Sequence, residues 1–319
     1  MFTHSARALT RFAARRATIG AAARHMSSGV DGCQTVGIIG MGLMGHGIAQ
    51  VAATAGFDVV AVEMDEGAMA SGMARIEGSV AKLAEKGRMT QDDADAALGR
   101  ITQASDISAL ADCDLVVEAI VENLDIKKKL FADLGALVKE DGVLASNTSS
   151  FPIHEMADAS GRPDKVVGVH FFNPVQLMKL VEVARTDGTS DESFDRAVAF
   201  GEAVGKVVVG CKDTPGFVVN RLLVPFMAQA LAMLDRGDAT PEDIDNAMRF
   251  GAGHPMGPVH LADYVGLDTN LAILEGWQEL FPDEPAFIVP DCLRAKVAEG
   301  KLGRKTGEGF YKWDGDKKL

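Results

Sequence analysis

The chain has 319 residues and a mass of 33.7 kDa, enough for a sizeable core and for two ordinary domains. With 47% hydrophobic and 24% charged residues it is too apolar to be disordered. A formal charge of −13 and a pI near 5.0 argue against a nucleic-acid binder, and two Trp and two Tyr leave little stacking surface.

The charge is unevenly spread. Residues 1–30 hold Arg7, Arg11, Arg15, Arg16 and Arg24 with no acidic residue, so removing those five charges from the −13 leaves a body of −18. Arg7, Arg11 and Arg15 share one side of any helix formed there, and Thr3, Ser5, Thr10, Thr18, Ser27 and Ser28 supply hydroxyls. An Arg-rich, hydroxyl-containing, acid-free start has the composition of an organelle transit peptide; the alternative is a solvated basic tail.

From Gln34 the pattern alternates strands and helices, which predicts a parallel sheet with helices on its faces. A strand over Thr35 to Ile39 runs directly into Gly40, Met41, Gly42, Leu43, Met44 and Gly45, then a helical stretch from His46 to Ala55, then a strand over Phe57 to Val62. A GxGxxG placed inside such a βαβ unit is a dinucleotide-binding fingerprint. Gly40 allows the tight turn, Gly42 clears room for a pyrophosphate, Gly45 lets helix and strand approach, and the helix N-terminus offers unpaired N–H groups. Glu63, 23 residues after Gly40, suits a ribose diol and repels a 2′-phosphate, so the cofactor reads as NAD. His46 is expected to be a bystander or a minor phosphate contact.

Further strands are expected at Asp114 to Ile120, Gly142 to Ser146 and Val166 to His170, with a helix over Leu124 to Val138. Ligands gather at the carboxyl ends of such strands, which selects Glu118 to Glu122, Ser146 to Ser149, and His170. Ser149 has an alternative use as a helix cap, and Lys127, Lys128 and Lys129 as a solvated face. Four separated cysteines predict neither disulfides nor a metal site. No run supplies the ~18–20 uncharged apolar positions of a membrane span.

Of seven histidines, His170 is the catalytic candidate. It ends an apolar strand and precedes a second one over Met178 to Val183 that carries Glu182. A short connection would return Glu182 to the imidazole, where a carboxylate fixes the tautomer and favours a general base. A structural histidine with an unrelated glutamate stays open on spacing alone. His154, His254 and His260 have no acidic partner that spacing would place. After Val209 the period turns helical, with Asp213 to Gly216 as punctuation, a cap and proline at Thr240 and Pro241, and no strand expected from Phe217 onward.

The segments Ser146 to Ser150, His170 to Pro174, Met178 to Glu182, Asp213 to Phe217, Asn220 to Leu223 and Gly300 to Tyr311 closely resemble the monofunctional L-3-hydroxyacyl-CoA dehydrogenases, the 3-hydroxybutyryl-CoA dehydrogenase family, from about Gln34 to Trp313. The resemblance implies an α/β chain: a Rossmann-type, doubly wound, mostly parallel sheet over residues 34–212 that binds NAD, then an all-α dimerisation domain over 213–319, behind a mitochondrial transit peptide at 1–30. It implies oxidation of (S)-3-hydroxyacyl-CoA to 3-oxoacyl-CoA in β-oxidation, in the mitochondrial matrix, by a homodimer. His170 would be the general base and Glu182 its partner, with Ser149 and Asn220 on the substrate oxygen. Glu122, Lys127, Ser149, Asn173 and Lys305 would serve NAD, and Ser79 and Lys86, with Ser149, the coenzyme A ester. Given the acidic body, attraction of that ester would be local, from helix N-termini and from Lys86, Lys127 and Lys305. The competing readings are a lambda-crystallin-like dehydrogenase of a sugar acid or short hydroxy acid on the same scaffold, and a dinucleotide-binding protein without catalysis.

Overall fold

Along β1 (Thr35–Ile39), Val36 and Ile38 face one way, Gly37 and Ile39 the other, and all four are buried, as in a central strand covered on both faces. The structure, a computed structural model, describes Val30 and residues 32–319; apart from Val30, the expected transit segment lies outside the described residues. The chain divides into two compact units, one through Phe217 and one from Val218.

The first unit is built on eight strands: β1, β2 (Asp58–Val62), β3 (Ile101–Ala104), β4 (Leu115–Glu118), β5 (Val143–Ser146), β6 (Val166–Phe171), β7 (Leu180–Arg185) and β8 (Val207–Lys212). Their order is β3-β2-β1-β4-β5-β6-β7-β8, parallel throughout except for the antiparallel pair β6–β7. On one face lie α1 (Gly45–Thr54), α2 (Glu66–Glu85), α3 (Gln91–Gly99) and α6 (Asp191–Ala203), packed on Val36, Ile38, Val117, Ala145 and Val169. On the other lie α4 (Leu124–Leu137) and α5 (Ile153–Ala159), which bury Phe131, Leu134, Ile153 and Met156 against Ile39, Val116, Leu144 and Val166. Each such side chain contributes roughly 1.5–3 kcal/mol relative to exposure. The Rossmann-type, doubly wound sheet is thus as expected. Strand β3 is an addition, because its two central residues are exposed and four residues give no readable period.

Two polar devices set the helices that frame the site. The Arg162 guanidinium donates to the carbonyls of Val138, Lys139, Glu140 and Gly142 at 2.6–3.1 Å, closing the negative end of α4 with a cation. The Asp213 carboxylate accepts from the backbone N–H of Ile153 and His154, at 2.8 and 2.9 Å, and so caps α5. Because of that bond Asp213 belongs physically with the first unit, as does Phe217, whose ring lies 5.7 Å from that of His170.

The second unit comprises α7 (Val219–Asp235), α8 (Pro241–Asn246), α9 (Pro258–Val265), α10 (Leu267–Leu280) and α11 (Asp291–Ala298) around Val224, Leu231, Leu274, Trp277 and Phe287. Thr240 caps α8 through its hydroxyl, with proline at the first position, as the sequence indicates. The expectation of no strand beyond Phe217 fails at the end: β9 (Trp313–Asp314) and β10 (Lys317–Lys318) form a two-stranded hairpin around Gly315. Strands of two residues carry no alternation to read. The buried Asp263 carboxylate accepts from the N–H groups of Phe310 and Tyr311 and from the Trp313 indole, fastening this tail to α9.

Burial pushes the thiols of Cys33, Cys113 and Cys211 up from 9.0 to about 12. Above pH 9 the unfolded chain therefore releases protons that the folded chain keeps, and stability falls as pH rises towards 12. Urea midpoints at pH 8 and pH 10 are expected to show this drop, and replacing the three cysteines with alanine to reduce it.

Candidate active site

The strand order reverses between β1 and β4, and the carboxyl ends of these strands bound the crevice where ligands bind in this architecture. Gly40 has φ +90°, and a Cβ there would lie 2.7 Å from the Ala119 carbonyl oxygen, so no other residue fits the turn. A Cβ on Gly45 would overlap the Gly40 carbonyl, whereas one on Gly42 would meet nothing within 4 Å. The first two glycines named are demanded by the fold; the space at Gly42 is open. Glu63 accepts from the N–H of Met41 at 3.1 Å and of Asp65 at 3.2 Å, tying the end of β2 to the glycine loop. The His46 ring meets the Gly42 carbonyl at 2.6 Å, so it braces the loop. Leu43, Met64 and Val121 stand exposed at the ends of β1, β2 and β4, apolar walls suited to the planar bases of a dinucleotide. A glycine cradle, a helix N-terminus and a carboxylate at the end of β2 fit NAD.

Next along the sheet, Glu118 ends β4 directly beside Ser146, which ends β5. Glu118 is wholly enclosed and accepts from Lys127 Nζ at 2.5 Å, from the Ile120 N–H at 2.8 Å and from the Ser146 hydroxyl at 2.7 Å. Lys127 also lies 3.1 Å from Glu122. Glu122 accepts from the hydroxyls of Thr148 and Ser150 and from the Ser149 N–H. Its burial acts to raise its pKa, but Lys127 and those hydroxyls outweigh it, and the carboxyl sits below the usual value. Lys127 is 1% exposed, so the triple lysine is not one solvated face. Nor does Ser149 cap α5, whose cap residue is Pro152.

His170 and Glu182 are directly opposed in the β6–β7 ladder, and the imidazole Nδ1 lies 2.8 Å from the Glu182 carboxylate. Glu182 is fully buried and His170 nearly so. In the tautomer in which Nδ1 donates to Glu182, Nε2 holds the lone pair that a general base requires. The rings of Phe172 and Phe217 lie 4.5 and 5.7 Å from the imidazole and restrict its rotation. Asn147 accepts from the Phe171 N–H at 2.9 Å, locking the end of β6 to that of β5.

The first unit thus gathers the glycine loop, Glu63, Glu122, Lys127, Ser149, His170 and Glu182 along its strand ends, with Asn173 exposed just beyond β6. Ser79 accepts from the Gln50 side chain at 2.9 Å, within the packing of α2 on α1, and Lys86 is exposed at the end of α2. Asn220 and Lys305 belong to the second unit, Asn220 in the first turn of α7 and Lys305 in an ion pair with Asp268. Spacing alone missed the Asp213 partner of His154, 2.7 Å away, because 59 residues separate them. It also missed the aromatic support of His170 by Phe217. Among the described residues no cluster could hold a metal ion, and no helix is long and apolar enough to cross a membrane.

A doubly wound sheet with a glycine cradle and a buried His–Glu pair defines a nicotinamide-dependent dehydrogenase. The NAD-binding domain of the 3-hydroxyacyl-CoA dehydrogenases matches residues 35–214, and the C-terminal domain of that family matches 216–313. The chain belongs to the 3-hydroxyacyl-CoA dehydrogenase family. It is 48% identical to the mitochondrial hydroxyacyl-coenzyme A dehydrogenase of Rattus norvegicus over 284 residues, covering 87% of this chain and 90% of that protein. A probable 3-hydroxybutyryl-CoA dehydrogenase of Deinococcus radiodurans is 51% identical over 277 residues, 87% of this chain and 99% of the relative. The crystal structure of (S)-3-hydroxybutyryl-CoA dehydrogenase from Ralstonia eutropha superposes with a TM-score of 0.86 at 41% identity, covering 88% of this chain and 99% of that one.

The different roles of the glycines are separable. Gly42→Val is expected to melt within a few degrees of wild type yet bind NADH at least about tenfold more weakly. Gly45→Val is expected to lower the melting temperature, as differential scanning fluorimetry would show.

Proposed function

We propose that the chain oxidises (S)-3-hydroxyacyl-CoA to 3-oxoacyl-CoA with NAD, and that His170 is the general base. The contact between the imidazole Nδ1 and the buried Glu182 carries this reading. With Nδ1–H donated to Glu182, Nε2 takes the proton of the 3-hydroxyl as the carbonyl forms, and Glu182 stabilises the resulting imidazolium. NAD, when bound, supplies the acceptor for the hydride that leaves C3. Ser149 and Asn220 hold the substrate oxygen by hydrogen bonds. Gly40 to Gly45 and Glu63 bind the cofactor, joined by Glu122, Asn173 and Lys305, with Lys127 acting by fixing Glu122. Ser79 and Lys86 face the coenzyme A portion of the ester.

The helical unit serves as the homodimer surface, consistent with the exposed Leu222, Phe250 and Leu280. Residues 1–30 direct the enzyme to the mitochondrial matrix for β-oxidation, a reading supported by their composition and by the mitochondrial relatives.

Purified protein is expected to oxidise NADH with acetoacetyl-CoA and not with acetoacetate or a sugar acid; turnover of the free acid alone would favour a hydroxy-acid dehydrogenase. His170→Gln is expected to lower kcat by roughly 10²–10⁴ with NADH affinity retained, and near-normal kcat would refute the base assignment. A reporter carrying residues 1–30 is expected in mitochondria, and its retention in the cytosol would overturn the localisation.

A further inference from the structure

Glu118 is fully buried, so it cannot touch a ligand, yet two routes of hydrogen bonds lead from it to the loop that carries Ser149. One passes through Lys127 at 2.5 Å to Glu122 at 3.1 Å, and Glu122 receives the hydroxyls of Thr148 at 2.5 Å and Ser150 at 2.6 Å. The other passes through the Ser146 hydroxyl at 2.7 Å, whose oxygen accepts the Thr148 N–H at 3.2 Å. Both converge on Thr148, one residue before Ser149.

A buried ion pair is a poor device for stability, since apolar residues of the same volume serve as well. Here the ammonium is shared by two carboxylates of unequal exposure, Glu118 at 0% and Glu122 at 39%. The enclosed carboxylate pins the ammonium from below, and the pinned ammonium sets where the partly exposed carboxylate stands. Without Glu118, Lys127 is free to follow Glu122 outward, and the hydroxyls that Glu122 gathers lose their reference point.

We propose that Glu118 is a positioning residue for the dehydrogenase reaction: through Lys127 and Ser146 it holds Glu122 and the Asn147–Ser150 loop in the arrangement that receives the nicotinamide cofactor. This rests on the NAD-dependent reading above and adds a residue that the family resemblance does not mark.

The test is a double-mutant cycle on NADH binding, read by cofactor fluorescence without acyl-CoA. Glu118→Gln keeps the shape, an oxygen for the Ile120 N–H and, with its direction reversed, a hydrogen bond from the new NH2 to the Ser146 hydroxyl, but removes the charge that pins Lys127. It is expected to raise the NADH dissociation constant and the KM for NADH about tenfold, leaving the KM for acetoacetyl-CoA within about twofold. In a Lys127→Met background the same change is expected to matter less than about twofold, because that route is already cut. Equal effects in both backgrounds overturn the relay, and a lowered melting temperature with unchanged NADH affinity makes Glu118 merely structural. If Glu118→Gln fails to fold, Ser146→Ala decides: weaker NADH binding supports the proposal and unchanged binding overturns it. Because binding is read without substrate, a wild type that binds NADH but does not reduce acetoacetyl-CoA refutes the substrate reading while the cycle still decides Glu118.

Discussion

His170 and Glu182 meet because β7 runs back against β6 in a sheet that is otherwise parallel, and because the register places the two residues directly opposite one another. A parallel crossover would have carried the second residue to the far end of a strand. Since side chains alternate with period two, a slip of one residue would turn Glu182 through to the α6 face, among Val169, Phe194 and Phe200, and turn Val181 and Val183 off it. A buried carboxylate there would have no imidazole, at a cost well beyond one hydrogen bond. The apolar residues on either side of Glu182 therefore do more than fill the core: they fix the register, and the register brings Glu182 to His170.

The same parity organises the rest of the site. Glu118, Ser146, His170 and Glu182 all point to the α4–α5 side, each one position out of step with the valines, leucine and alanine that pack against α1. The sheet has in effect one dry face and one face that turns polar towards its carboxyl end. Lys127 and Lys305, two of the three lysines expected to draw an anionic ester, are each matched to carboxylates, so of the three only Lys86 remains exposed without such an ion pair. The pairing is expected to shift attraction of phosphates to the N-terminal turn of α1 and the positive end of its dipole.

Much of this was legible in the sequence because it is local or strictly periodic. The glycine fingerprint, the β1–α1–β2 unit and the alternation of β6 and β7 each lie within about thirty residues, the length over which period and turn chemistry speak. The partners of His154 and Arg162 were not legible, since Asp213 and the carbonyls at the end of α4 are distant in sequence. The buried state of Lys127 was hidden for another reason: three consecutive lysines read as surface, and only the helical phase, set by Phe131 and Leu134, turns the first of them inward. Strand β3 and the terminal hairpin were too short to show a period.

The open space at Gly42 has a consequence for descent. Gly40 and Gly45 are policed by folding itself, so a copy of this gene that no longer served as an enzyme would still have to keep them to produce a folded product. At Gly42 no neighbour demands a glycine, so a bound cofactor would be what holds it there. A side chain at that one position, in a paralogue with the other two glycines intact, would mark a protein that has kept its shape and abandoned its cofactor.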